Sequence, residues 1–193
     1  MKYSIVFLCV FVSMISFSQE RKEIMKDTVI PWNKSQKLKW KDFLGTLDPD
    51  IFAYALTSYK IDIIPESVAV DNNDNILNYK TLSVTANFYK KQSWSVSQDL
   101  NLLNHEQLHF DIAELFARKI RKRFSELKTI EEKRFSVYWN EYSKLWKDCR
   151  AFQKQYDIET NHGAKLDENK KWAENIGSLL EAFKEYACQK SNL

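Results

Sequence analysis

The sequence predicts an α+β fold in which N-terminal antiparallel strands are followed by three long helices. Three observations carry this reading. Apolar residues recur at every second position between residues 52 and 96, and at every third or fourth position after residue 99. Glycine and proline number only three each in 193 residues, which favours long regular elements over a many-turned sandwich. Hydrophobic residues make up 44% of the chain and charged residues 28%, the composition of an ordinary folded domain at a length that suits one core.

Residues 1–18 read as a signal peptide. Met1-Lys2 gives a positive start, Ser4 to Phe17 is apolar, and Ser16-Phe17-Ser18 places small residues around a cut before Gln19. The apolar run is short for a membrane span. Cys9 lacks the small residues before it that a lipoprotein anchor needs; an uncleaved N-terminal anchor is the alternative. The expectation is an exported protein, secreted or periplasmic, with one domain over 19–193 and no stable membrane association after cleavage. Cys149 and Cys188 remain in that domain and can form one disulfide in an oxidising compartment.

Gln19 to Val29 is charged and aperiodic, a flexible lead-in. Trp32, Leu38, Trp40 and Phe43 form an aromatic-rich segment closed by Gly45 and Asp48-Pro49-Asp50. Phe52 to Ile64 reads as a strand, with Tyr59, Ile61 and Ile63 alternating against Lys60, Asp62 and Ile64. Asp71 to Asn75 is a turn cluster. Tyr79 to Val96 reads as a second strand or hairpin, with Leu82, Val84, Ala86 and Phe88 on one face and a turn at Lys90-Lys91-Gln92.

The period then changes. Leu100, Leu103, Leu108, Ile112, Leu115, Phe116 and Ile120 predict a helix to about Phe124, capped by Asp99 or Ser97. A second helix is predicted over about 130–155, with Phe135, Tyr138, Trp139, Tyr142, Leu145, Trp146 and Phe152 as its core face. A third covers about 167–188, with Trp172, Ile176, Leu179, Leu180 and Phe183 inward. The net charge of +3 is small, and no Lys/Arg cluster is interleaved with aromatics, so nucleic acid is not an expected partner. The basic stretch Arg118 to Arg123 reads as a solvated helix end.

His105-Glu106-Gln107-Leu108-His109 lies in the first helix. Two histidines four apart lie about 40° apart around a helix axis and one turn apart along it, so their rings converge on one ion. Glu106, between them, reaches a water on that ion rather than the ion itself. This is the chemistry of a Zn2+ site that makes hydroxide near neutral pH and passes the proton to a carboxylate. Apolar Leu103 and Leu108 bury the motif, where an unpartnered cluster is costly. The chain has three histidines, and two are here.

A tetrahedral site needs a third protein ligand. Asp111 and Glu114 lie far round the helix from the histidine pair; either orients the site at a distance or faces solvent. His162, in a break before Gly163, is the favoured third ligand, with Asp157 and Glu159 as alternatives.

The segment Leu103 to Glu114, which contains His-Glu-Gln-Leu-His-Phe-Asp, together with Tyr156-Asp157-Ile158-Glu159-Thr160-Asn161-His162-Gly163, resembles the bacterial domain of unknown function 922 family. Leu38 to Gly45 and Trp172 are also similar to that family. Its members are described, by inference, as secreted zinc-dependent proteases. The resemblance implies a zincin-like arrangement with a strand edge beside the motif helix.

The expected function is therefore a secreted zinc metallopeptidase holding one Zn2+ ion through His105, His109 and His162. Glu106 is the expected general base, Tyr156 an oxyanion donor whose alternative is a packed aromatic with a satisfied hydroxyl, and a peptide or protein the substrate. An extended peptide is expected to add to the strand within Tyr79–Val96. The rivals are a zinc hydrolase of a non-peptide amide, such as a cell-wall component, and a non-catalytic metal-binding module.

Overall fold

The computed structural model describes residues 28–188 except Phe52. The predicted signal peptide, most of the lead-in and Phe52 lie outside the described residues. The predicted order holds: antiparallel strands come first and three helices after.

Among the described residues, five short strands form two sheets. β1 (Val29–Pro31), β4 (Ser83–Tyr89) and β3 (Tyr59–Ile64) make one sheet in the order β1-β4-β3, all antiparallel. β2 (Ala55–Leu56) pairs with β5 (Trp94–Ser95) in a second. The expected strand over 52–64 is thus two strands. The Tyr79–Val96 hairpin does not form either: a turn of 3-10 helix at Lys90–Gln92 sends β5 away from β4 and onto β2. β4 is the central strand, with Val84, Ala86 and Phe88 fully buried. Both of its edges are paired, which removes it as a site for peptide addition. The outer edge is β3. The register pairs Ile61 with Ala86, whose carbonyl bonds Trp32 N on the opposite side, so the Ile61 backbone faces outward. There the Tyr142 hydroxyl donates to Ile61 O at 2.7 Å.

Helix α1 (Leu100–Thr129) is the spine. Asp99 caps it, accepting from the amides of Asn101 and Leu102. It packs on the sheet and on both other helices. That position explains why it is buried nearly all round from Phe110 to Arg118, and why it outruns the expected end at Phe124. The basic stretch is not a solvated end. Arg118 and Arg121 are buried, paired with Glu114 at 2.8 and 2.7 Å, and they donate to the carbonyls of Leu180, Tyr186 and Val84. These buried cations fix the C-terminal segment to the spine, and Glu114 keeps them from being buried unpaired.

Helix α2 (Phe135–Thr160) has Arg134 at its N-cap position, which makes no side-chain cap. The Asp71–Asn75 turn supplies one instead: Asp74 accepts from Phe135 N through its carbonyl and from Ser136 N and Oγ through its carboxylate. Helix α3 (Leu166–Ala182) buries Trp172 and Ile176. The core face read for α2 is correct for Tyr138, which is buried, but Trp139 is half exposed. Cys149 and Cys188 are not joined in a disulfide. No helix among the described residues is long and apolar enough to cross a membrane.

Candidate metal centre

His105 and His109 stand one turn apart on α1, and α2 crosses that face with Asp157 directed at both. His105 Nε2 and His109 Nε2 are 3.2 Å apart. Asp157 Oδ1 lies 3.2 Å from the first and 3.1 Å from the second. Three donor atoms thus form a nearly equilateral triangle. Tetrahedral zinc with ligand bonds of about 2.0–2.1 Å has ligands about 3.3–3.4 Å apart. The residues present therefore fit a metal ion, and His105, His109 and Asp157 form a group that can hold one.

The third member is Asp157, not the expected His162. Helix α2 continues to Thr160, which keeps Asp157 on the face turned toward α1. The chain then enters three consecutive left-handed residues, Asn161, His162 and Gly163, with φ of 50°, 52° and 82°. This reversal carries the His162 ring outward. Its side chain is 78% exposed, with Nδ1 3.7 Å from Asp157 Oδ1. Glu159, the other alternative, instead accepts from Trp172 Nε1 and Gln155 Nε2.

Two further expectations change. Asp111 and Glu114 neither face solvent nor approach the group. Asp111 accepts from Trp32 Nε1 at 2.7 Å, Gln107 Nε2 at 2.8 Å and Lys37 Nζ at 3.0 Å, and Gln107 Oε1 accepts from Leu38 N. These bonds dock the N-terminal segment on the far side of the motif helix. Tyr156 is not placed as an oxyanion donor. It is fully buried, stacked on the His105 ring at 4.6 Å, and its hydroxyl is engaged with Asn169 Oδ1 and the His105 carbonyl. The packed-aromatic alternative describes it.

Glu106 sits beside the histidines and is 4% exposed; its carboxylate oxygens make no hydrogen bond among the described residues, yet they are not sealed from solvent. A carboxylate so placed is open to a water at the site.

Sequence reasoning missed Gln153 and Asn169. Gln153 Nε2 donates to the His109 carbonyl at 2.8 Å, so its Oε1 must be the atom 2.5 Å from His109 Nδ1. Nδ1 then carries the hydrogen, and the Nε2 lone pair is directed into the triangle. Asn169 Oδ1, from α3, lies 3.3 Å from His105 Nδ1. Gln153 had a weak signal, four residues before Asp157 on one helix face. Asn169 had none, because only packing of α3 brings it there.

Electrostatics reflect this closeness. Burial pulls the His109 imidazole down, but the hydrogen bond it donates to Asp157 when protonated and the charges of Glu106 and Asp157 outweigh it, so the net shift is upward. Burial pushes the Asp157 carboxyl up, but hydrogen bonds from His105 and His109 overcome it and hold the group well below the carboxylate range.

Gly163 packs its backbone on the His105 ring. An added Cβ would lie 2.8 Å from His105 Cγ, at a backbone angle that side chains rarely adopt. Gly163→Ala is expected to destabilise the fold by about 1–3 kcal/mol and to displace His105. Thermal unfolding together with the His105 ring resonances checks this.

Fold and donor set define an α+β protein with a candidate mononuclear metal centre. Residues 79–163 match the sequence model of the family described as "Bacterial protein of unknown function (DUF922)". That stretch holds both histidines of the motif, Glu106, Gln153, Tyr156, Asp157 and His162; Asn169 lies beyond it. No curated protein and no solved structure matches the chain.

Proposed function

We propose that the protein is a zinc-dependent hydrolase of peptide bonds with a zincin-like site, acting outside the cytoplasm. The observation that carries this reading is the pairing of the three-donor triangle with the carboxylate of Glu106 next to it, which makes no hydrogen bond among the described residues. A purely structural metal has no use for such a base and closes its fourth position with protein. Two imidazoles and one carboxylate suit zinc, and the ion when bound would polarise a carbonyl and acidify a water.

The chain's own residues then divide the work. His105, His109 and Asp157 hold the ion. Glu106 accepts the proton of the attacking water and returns it to the leaving nitrogen. Gln153 and Asn169 keep the Nδ1 atoms of the histidines occupied. A peptide is favoured over other amides by the family resemblance alone; the same groups would serve a cell-wall amide.

The test loads the protein with zinc and compares wild type with Glu106→Gln on a library of proteome-derived peptides, with new amino termini read by mass spectrometry. Cleavage by wild type that the variant lacks supports the reading. Cleavage by both, or by neither, removes it. Gln153→Ala is expected to keep the fold and to weaken zinc binding about 10–100-fold, as measured by chelator competition.

A further inference from the structure

We propose that His162 is a catalytic residue: its ring N–H donates a hydrogen bond to the oxygen of the scissile carbonyl as negative charge develops there. The inference rests on the hydrolase reading above and deepens it.

In hydrolysis of an amide, the water oxygen adds to the carbonyl carbon while its proton passes to Glu106. The carbon–oxygen double bond becomes a single bond to an anionic oxygen. The carbon–nitrogen bond then breaks as Glu106 returns the proton to nitrogen. A donor aimed at that oxygen, besides the ion, stabilises the charge where it appears. Among the described residues, the other donors that touch the triangle are engaged elsewhere. The Tyr156 hydroxyl is engaged with Asn169 and the His105 carbonyl. Gln153 donates through its amide to the His109 carbonyl. The Trp172 indole is bonded to Glu159. His162 is exposed, makes no side-chain hydrogen bond among the described residues, and has a ring nitrogen 3.7 Å from the Asp157 oxygen that both histidines touch.

The backbone supports the same placement. Non-glycine residues in the left-handed region are uncommon, and Asn161 and His162 are two in succession. The turn is tightly fixed: His162 N donates to Asp157 O at 2.8 Å, Lys165 N to Thr160 O at 2.9 Å, and Thr160 Oγ1 to Tyr156 O at 2.7 Å. Strain of this kind persists where the surroundings over-determine it, and it collects at functional sites. Here it holds an imidazole at the mouth of the site without making it part of the triangle.

The test uses His162→Asn, because asparagine is at ease in the left-handed region and its shorter side chain does not reach. His162→Gln restores a longer N–H donor. Zinc per chain and zinc affinity are measured by elemental analysis and chelator competition, and turnover on the most rapidly cleaved library peptide. The expected result is zinc affinity within about threefold of wild type, kcat lowered about 10²–10³-fold with KM little changed, and partial recovery in His162→Gln. Zinc lost from His162→Asn would make the residue a ligand and overturn the proposal. Full turnover with zinc retained would overturn it as well while leaving the hydrolase reading intact. Wild type that binds zinc and shows no Glu106-dependent cleavage would overturn both.

Discussion

Asp157→Ala is expected to lower zinc affinity by on the order of 10³-fold, because it removes one of three ligands rather than a group that orients them. That factor corresponds to about 4 kcal/mol. The expectation follows from the triangle: without Asp157 Oδ1, the two imidazole nitrogens 3.2 Å apart are all that remains. Chelator competition reads the loss directly, and circular dichroism shows whether α2 survives. The substitution also alters the metal-free protein. His109 then loses the group that raises its pKa most, and burial is left against the Glu106 charge and the Gln153 hydrogen bond, so the imidazole titrates lower. In the metal-free wild type, the raised His109 contributes stability below its unfolded value and loses it as pH rises through the folded one. The depressed Asp157 contributes above the ordinary carboxylate range and loses its contribution as pH falls. The pair therefore stabilises the metal-free fold most between the carboxylate and imidazole ranges, and the variant flattens that maximum.

Glu106→Gln is expected to keep zinc and the fold while turnover falls about 10²–10⁴-fold. Glu106 belongs to none of the three donors and holds no hydrogen bond that the fold depends on among the described residues. The amide preserves shape and cannot accept the proton of water. Single-turnover rates with equal zinc loading isolate this loss from any change in metal content. A variant that retains full turnover would assign the base to another residue.

The helical half of the fold was legible because its signals are local. Asp99 caps α1 as read, and the three-to-four spacing marks all three helices. The strands were less so. β5 consists of only Trp94 and Ser95, and its partner β2 lies 40 residues upstream of it in the register Ala55–Ser95, a pairing that no local pattern announces. The buried Arg118 and Arg121 were misread for a similar reason: cations near a helix end look solvated until the C-terminal segment packs over them. At the site, His105, Glu106 and His109 were legible from spacing. The third member was not, since the choice between Asp157 and His162 depends on where α2 ends and on a change of backbone hand at Asn161. The periodicity of the second helix was read only to about residue 155. Tyr156 was a candidate donor because it is the nearest such residue in the second motif, and only the three-dimensional contacts of its hydroxyl show it spent.

The account rests most directly on zinc content per chain, measured by elemental analysis after exhaustive dialysis of zinc-loaded protein. About one zinc is expected in wild type and in His162→Asn, and close to none in Asp157→Ala. A wild type without zinc, or an Asp157→Ala protein that retains it in full, would contradict the site described here.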